Sequence, residues 1–283
     1  MEDILFKINE RMKTFSKGQK IIGEYILENF DKAAFMTAAT FAEEIGVSES
    51  TVVRFAFELG YDGYRDFRES LRDLTIKKST PYQRMEITSR KMGEENILSS
   101  VLKADISNIM STLEEIDEEQ FECAVDAVMK AENIYIMGVR STSALASFAG
   151  LYFNLIFPNS HVINSNAGAD IFEQLMRVKT GDVVIGISFP RYSKNTRMAL
   201  EYAKKRGATV ISITDNINSP VVEYSDYCLT AKSGMESFAD SLVAPMSVIN
   251  AFIAAIGLKK KNEVKDVFEK LENIWDEYEV YNK

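Results

Sequence analysis

Two kinds of hydrophobic periodicity divide the chain near residue 78. Before it, apolar positions recur at helical spacing in short segments joined by Gly or polar turns. From about Asn133 to Ala231, runs rich in β-branched residues alternate with helical stretches, the pattern of a parallel sheet with crossover helices. The sequence predicts strands at Ile134 to Met137, His161 to Ile163, Val183 to Ile187, Thr209 to Ile213 and Tyr227 to Thr230. Helices are predicted near Ala144 to Leu155, Asp170 to Val178, Asn195 to Lys205 and Phe238 to Ile256. The expected architecture is two domains: an all-α helix-turn-helix domain over residues 1–78, then a doubly wound α/β domain with a five-stranded parallel sheet over residues 123–283. Residues 79–122 would hold a linker, marked by Pro81 in KKSTPYQR, and an amphipathic helix.

That helix has Leu102, Ile106, Ile109, Leu113 and Ile116 on one stripe, and Val264, Phe268, Leu271, Trp275 and Tyr278 repeat the spacing near the C-terminus. Each stripe packs either on its own domain or across a subunit interface, since two heptads also suffice for a short coiled seam.

The stretch TAATFAEEIGVSESTVVRFAFELGY, residues 37–61, meets the requirements of a helix-turn-helix one by one. Ala38, Phe41, Ala42 and Ile45 fall on one helical face that stops at Gly46. Ser48 is a good N-cap, and a second helix follows with Val52, Phe55, Ala56 and Leu59 inward before Gly60 ends it. Ala42 is small where the helices cross, and Gly46 can take positive φ in the turn. A hairpin of helices used only for packing would share part of this pattern. In the DNA-binding reading the second helix lies in the major groove and presents Ser48, Glu49, Ser50, Val53, Arg54 and Phe57. Glu49 can accept from a cytosine amino group, Ser50 and Thr51 can bond bases or phosphates, and Arg54 is the cation able to grip guanine or phosphate.

Charge tempers this reading. The chain carries 33 Lys and Arg against 42 Asp and Glu, net −9. Residues 1–78 hold twelve cations against fourteen anions, so most of the excess lies beyond them. An acidic chain is a poor electrostatic glove for phosphates, yet Lys7, Arg11, Lys13, Lys17 and Lys20 cluster before the motif. Arg65, Arg68 and Arg72 form a stripe after it, beside Asp66, Glu69 and Asp73. That striped helix is either a solvated face with local ion pairs or a phosphate clamp. Binding as a dimer or tetramer on repeated half-sites would offset the weak charge.

Two strand-to-helix turns are rich in hydroxyls: GVRSTSA at 138–144 and ISFPRYSKNT at 187–196. Hydroxyls beside helix-start amides suit a phosphate or a sugar polyol, with Ser141, Thr142, Ser143, Ser188, Arg191 and Ser193 as candidate ligand residues. Arg140 and Lys194 add countercharge, and GVRSTS lacks the full GxGxxG of a dinucleotide site. Ser and Thr at these positions would also serve as plain helix caps.

Other chemistry has little support. Cys123 and Cys228 have no CxxC neighbour and His161 is the single histidine, so neither a zinc site nor another metal or cofactor is expected. With no apolar signal segment and no run near 20 apolar residues, the chain is expected to be cytoplasmic, without a membrane contact.

Taken together, GVSESTVVRF at 46–55, LGYDGYRDF at 59–67 and GDVVIGISFPRYSKNT at 181–196 resemble the RpiR family of transcriptional regulators, in which a helix-turn-helix domain precedes a sugar isomerase (SIS) domain. The resemblance implies an SIS-like fold, operator DNA and a phosphorylated sugar as partners, control of carbohydrate metabolism, and no catalysis. Ser141 and Ser143 match the first hydroxyl-rich turn. Ser188 and Ser193 match the ends of the SxSGxT-like phosphate loop, whose middle here carries Pro190 and Arg191. Phe57 and Glu58 stand where relatives often carry Lys or Arg. The alternative is a sugar-phosphate aldose–ketose isomerase, which would need a base such as His161, Glu173 or Glu236.

Overall fold

The computed structural model describes residues 4–78, 96–165, 167–234 and 239–281, apart from the side chains of residues 73 and 76–78. The chain divides into two compact units, residues 1–87 and 88–283. KKSTPYQR from Ser79 onward, Glu236 and the expected helix start at Phe238 lie outside the described residues.

The first unit holds α1 (Ile4–Arg11), α2 (Lys17–Ala33), α3 (Ala38–Ile45), α4 (Glu49–Glu58) and α5 (Tyr64–Lys78). Sequence-local chemistry sets most of their starts. Ser16 and Gln19 form a reciprocal capping box on α2, Thr37 caps α3, and Ser48 caps α4 by accepting from the Thr51 N–H at 3.3 Å. Gly46 closes α3 at φ 68°, left-handed backbone in which a β-carbon is disfavoured. Ile8, Ile22, Ile26, Phe41, Val52, Phe55, Ala56, Phe67 and Leu71 fill the core. Phe55 is its pivot: its ring lies 5.1 Å from Phe15 and meets Phe67 edge-on at 5.8 Å.

The second unit contains α6 (Ile97–Glu115), α7 (Glu118–Met129), β1 (Ile134–Gly138), α8 (Ser141–Ile156), β2 (Ser160–Ile163), α9 (Gly168–Leu175), β3 (Val183–Ile187), α10 (Lys194–Lys205), β4 (Thr209–Thr214), β5 (Tyr227–Thr230), α11 (Val243–Lys259) and α12 (Lys261–Glu277). The five strands are all parallel in the order β2-β1-β3-β4-β5. Their side chains alternate between two buried faces. Ile134, Ile136, Ile185, Ile187, Ile211 and Ile213 meet α7, α8 and α11 on one face. Tyr135, Met137, Val184 and Val210 meet α9 and α10 on the other. A doubly wound fold therefore follows from β-branched strands covered on both sides.

Several predicted boundaries shift for local reasons. The helix expected from Ala144 starts at Ser141, because the Thr142 and Ser143 hydroxyls turn back onto the preceding backbone. The last long sheet-covering helix starts at Val243, where Pro245 sits in the first turn and its missing N–H is harmless. The helix expected over Asp170 to Val178 ends at Leu175, with Met176 as its C-cap. Among the described residues, no single helix is long and apolar enough to cross a membrane.

Candidate functional site

In the first unit, α4 presents the residues that a major groove would meet. Ser48, Glu49, Ser50, Arg54 and Phe57 are exposed, whereas Thr51 and Val53 are half-buried. The Ser48 Oγ lies 2.9 Å from Ser50 Oγ and 2.7 Å from Thr51 Oγ1, so the cap and its two neighbours form one hydroxyl cluster at the helix start. Arg54 folds along its own helix, its Nε donating to the Ser50 carbonyl at 3.1 Å and Nη2 to Ser50 Oγ at 3.2 Å. Those bonds are within one exposed helix and can be exchanged for a base or phosphate.

The surrounding cations divide in a way the sequence did not reveal. Arg11 donates to the Glu58 carbonyl at the C-terminal end of α4, tying α1 to the reading helix. Arg65 pairs with Glu69 at 3.4 Å, and Arg72 lies over the Phe35 ring at 5.4 Å. These two members of the α5 stripe thus have structural neighbours within their own unit.

In the second unit, register decides the geometry. Gly138 pairs with Ile187, so the turns that follow β1 and β3 leave adjacent strands at the same end of the sheet. β1 and β3 flank the point where the strand order reverses, the place where doubly wound sheets take ligands. The candidates Ser188, Arg191 and Ser193 lie in the connection after β3, and Ser141, Thr142 and Ser143 form the first turn of α8 just after the connection from β1.

Their hydroxyls are in different states. Thr142 is buried, and its Oγ1 accepts from the Val139 N–H at 2.9 Å and donates to the Val139 carbonyl at 3.0 Å. Ser143 Oγ donates to the Arg140 carbonyl at 2.5 Å, and Ser193 caps α10 by accepting from the Thr196 N–H at 3.4 Å. Ser141 and Arg191 are exposed. Ser188 contrasts with these: its N–H extends the ladder to Ile213 at 3.0 Å, but its buried Oγ has no hydrogen-bond partner among the described residues. Thr196 Oγ1, in the first turn of α10, is also buried without a partner among the described residues.

The backbone at this end is tight. A β-carbon on Gly138 would stand 2.3 Å from the Thr142 carbonyl oxygen, so β1 must end on glycine for α8 to start where it does. Arg140 and Arg191 hold φ of 62° and 53°, a region costly for a residue with a β-carbon.

A third connection joins the site, unforeseen from the sequence. The Tyr192 hydroxyl donates to Asp215 at 2.8 Å, and Asn216 Nδ2 donates to the same carboxylate at 2.6 Å. Thr214 and Ser219 continue the network with a 2.8 Å bond. The available signal was an Asp-Asn pair after the predicted strand that ends at Ile213, in a polar turn whose hydroxyls, Thr214 and Ser219, are spread further apart than those of the other two. His161 and Glu173 lie elsewhere: they line an open groove of about 780 Å³ along β2, and none of the candidate ligand residues lines it. His161 is exposed beside the Tyr135 ring, 5.2 Å between centroids.

Fold and site together define a two-part protein, a helix-turn-helix reader joined in one chain to a doubly wound ligand-binding type of sheet. Comparison with known proteins makes the class specific. Residues 2–78 match the helix-turn-helix domain of the rpiR family and residues 128–255 match the SIS domain. The chain belongs to the RpiR family of transcriptional regulators with an SIS domain. It is 27% identical over the whole of both chains to an uncharacterized HTH-type transcriptional regulator of Caldanaerobacter subterraneus. A similar regulator of Haemophilus influenzae is 28% identical, over 80% of this chain and 79% of its own. Among solved structures, the sugar isomerase domain of an RpiR transcription factor from Sphaerobacter thermophilus is 27% identical, covering 62% of this chain and 97% of that one with a TM-score of 0.60. Vibrio vulnificus NanR, solved in complex with ManNAc-6P, shares the fold at 23% identity and a TM-score of 0.61, covering 97% and 98% of the two chains. The chain is thus a regulator, and its kinship with isomerases is one of fold.

Proposed function

We propose that this protein controls genes of carbohydrate metabolism by binding operator DNA through residues 1–78 and sensing a phosphorylated sugar through residues 123–283, with 79–122 connecting the two. One observation carries the sensor reading: Ser188 Oγ and Thr196 Oγ1 are buried without partners among the described residues, in the β3–α10 connection and the first turn of the Ser193-capped α10, at the switch point of the sheet. Buried hydroxyls without partners are costly, and a phosphate or sugar hydroxyl would satisfy them. Ser141, Thr142, Ser143, Ser188, Arg191 and Ser193 form the ligand cradle, Thr142 by holding the β1–α8 turn and the others by contact. The ManNAc-6P bound by NanR is a ligand of this chemical class.

On the DNA side, Ser48, Glu49, Ser50, Thr51 and Arg54 read or clamp the operator from the start of α4. The protein acts in the cytoplasm as a homodimer or homotetramer, so that two weakly charged readers engage two half-sites. Ligand changes DNA affinity only as far as it binds the two arrangements of the assembly unequally.

A thermal-shift screen of the purified protein against phosphorylated sugars tests the sensor, since a ligand of the native state stabilises by its binding free energy. A salt-dependent mobility shift on DNA from upstream of its own gene, changed by the stabilising sugar, tests the coupling. No stabilisation by any sugar phosphate would overturn the sensor reading; no specific DNA retention at low salt would overturn the other.

A further inference from the structure

The helix α6 is mounted with its polar side inward. Thr112 is its buried residue, and Thr112 Oγ1 accepts from the Lys232 N–H at 2.8 Å. Asp105 accepts from Ser241 Oγ at 2.5 Å, and Glu115 pairs with Lys232 at 2.5 Å. Asn108 packs so closely on Gly234 that a β-carbon there would lie 2.6 Å from its Nδ2. The apolar stripe faces the other way. Leu98, Leu102, Ile106, Met110 and Leu113 are each between 51% and 68% exposed, and Ile109 lies half-buried between them. At 100° per residue the stripe spans about a third of the helix circumference. Its five large side chains hold roughly 500 Å² of exposed apolar surface, a large part of the ~800 Å² per partner that a stable protein interface buries.

We infer that this stripe is the seam of a two-fold contact with a second copy of the chain, the two α6 helices running antiparallel. The stripe is near-palindromic about Ile106: Leu102 and Met110 stand four residues to either side, and Leu98 and Leu113 eight and seven. A two-fold axis through Ile106 therefore sets Leu98 against Leu113 of the partner subunit and Leu102 against Met110 of the partner subunit, the self-complementarity that an isologous interface requires. In a parallel pair Glu114 would stand beside its own copy, whereas the antiparallel pair sets the two at opposite ends of the seam. The inference deepens the oligomer reading above and rests on that part of it alone, independent of any sugar.

Sedimentation equilibrium of the full chain, wild type against Ile106→Glu, is the test. The wild type is expected to be at least dimeric, and the variant to dissociate with a dimer constant at least about 100-fold weaker, because the dyad places two buried carboxylates face to face. Ile106 is exposed in the single chain, so circular dichroism and the thermal midpoint of the dissociated variant should match a folded protein. Ile106→Cys reports direction: on the dyad it cross-links to itself on mild oxidation, whereas Leu98→Cys does so only when mixed with Leu113→Cys. A monomeric wild type overturns the oligomer reading and the seam together. A dimeric or tetrameric wild type that Ile106→Glu leaves intact overturns the seam alone, and self-cross-linking by Leu98→Cys overturns the antiparallel direction.

Discussion

Replacing Ser188 by alanine should push stability and ligand binding in opposite directions. Its Oγ is buried and has no hydrogen-bond partner among the described residues. Deleting an unsatisfied buried hydroxyl removes a desolvation penalty of about 1–3 kcal/mol and leaves a cavity of only one oxygen, so the net effect is neutral to about +1 kcal/mol. In a unit of this size 1 kcal/mol corresponds to a rise of about 2–4 °C in the thermal midpoint. With ligand the sign reverses. A hydrogen bond from Ser188 to a phosphate is worth about 1.5–3 kcal/mol, a loss of roughly 10- to 150-fold in affinity. Thermal denaturation with and without the sugar phosphate found in the screen, followed by titration calorimetry, reads both halves. Thr142→Val supplies the contrast. It strands the Val139 N–H and carbonyl that Thr142 now satisfies, so it should lower the ligand-free midpoint by several degrees. A Ser188→Ala protein that melts several degrees lower without ligand, yet binds the sugar with unchanged affinity, would refute the reasoning.

Other outcomes follow from the first unit. Phe55→Ala removes the ring shared by the Phe15 and Phe67 contacts and should destabilise that unit by about 3–5 kcal/mol; hydrogen exchange should show α2 to α5 losing protection while the sheet keeps it. Arg54→Ala should weaken operator binding, and if the side chain grips phosphate the slope of log affinity against log salt should fall by about one, measured by fluorescence anisotropy. Burial pushes the Tyr64 hydroxyl up to about 12, and that hydroxyl donates to the Met36 carbonyl at 3.0 Å. Because the folded state holds this proton more tightly than the unfolded chain, its contribution is complete below pH 10 and is lost as pH rises through about 12. Denaturant titrations across that window should show the loss, and Tyr64→Phe should flatten it.

How far the sequence could be read depended on whether the deciding interactions were local. The bounds of α3, β3 and β5 follow from runs and caps a few residues long, as does the Ser48 cap of α4. The two hydroxyl-rich turns were visible for the same reason. Their adjacency was not, because the β1–β3 pairing joins residues some fifty positions apart. Nor could Tyr192 be linked to Asp215, a contact between turns after different strands. For α6, the period placed Leu102, Ile106 and Leu113 on the exposed stripe but missed Leu98 and Met110 and included Ile116, which packs on the sheet core; it also left the direction open, since a 3.6-residue repeat says which side chains share a face and nothing of what covers it. Polar bonds from Asp105, Thr112 and Glu115 to the segment after β5 turned that face outward. The stripe at the C-terminal end is less exposed: Val264, Leu271 and Trp275 are half-buried, whereas Phe268 and Tyr278 are exposed.

Among the described residues the hydrophobic cores are separate in sequence: one draws its buried residues from Ile4 to Leu71, the others from Ala124 to Ile256. For evolution this means that operator choice and effector choice can drift on separate schedules. Packing changes in one core leave the residues of the other untouched, and their effects on stability should add when measured together. Exchange of the first 78 residues between relatives would then transplant an address without disturbing the signal that is answered there.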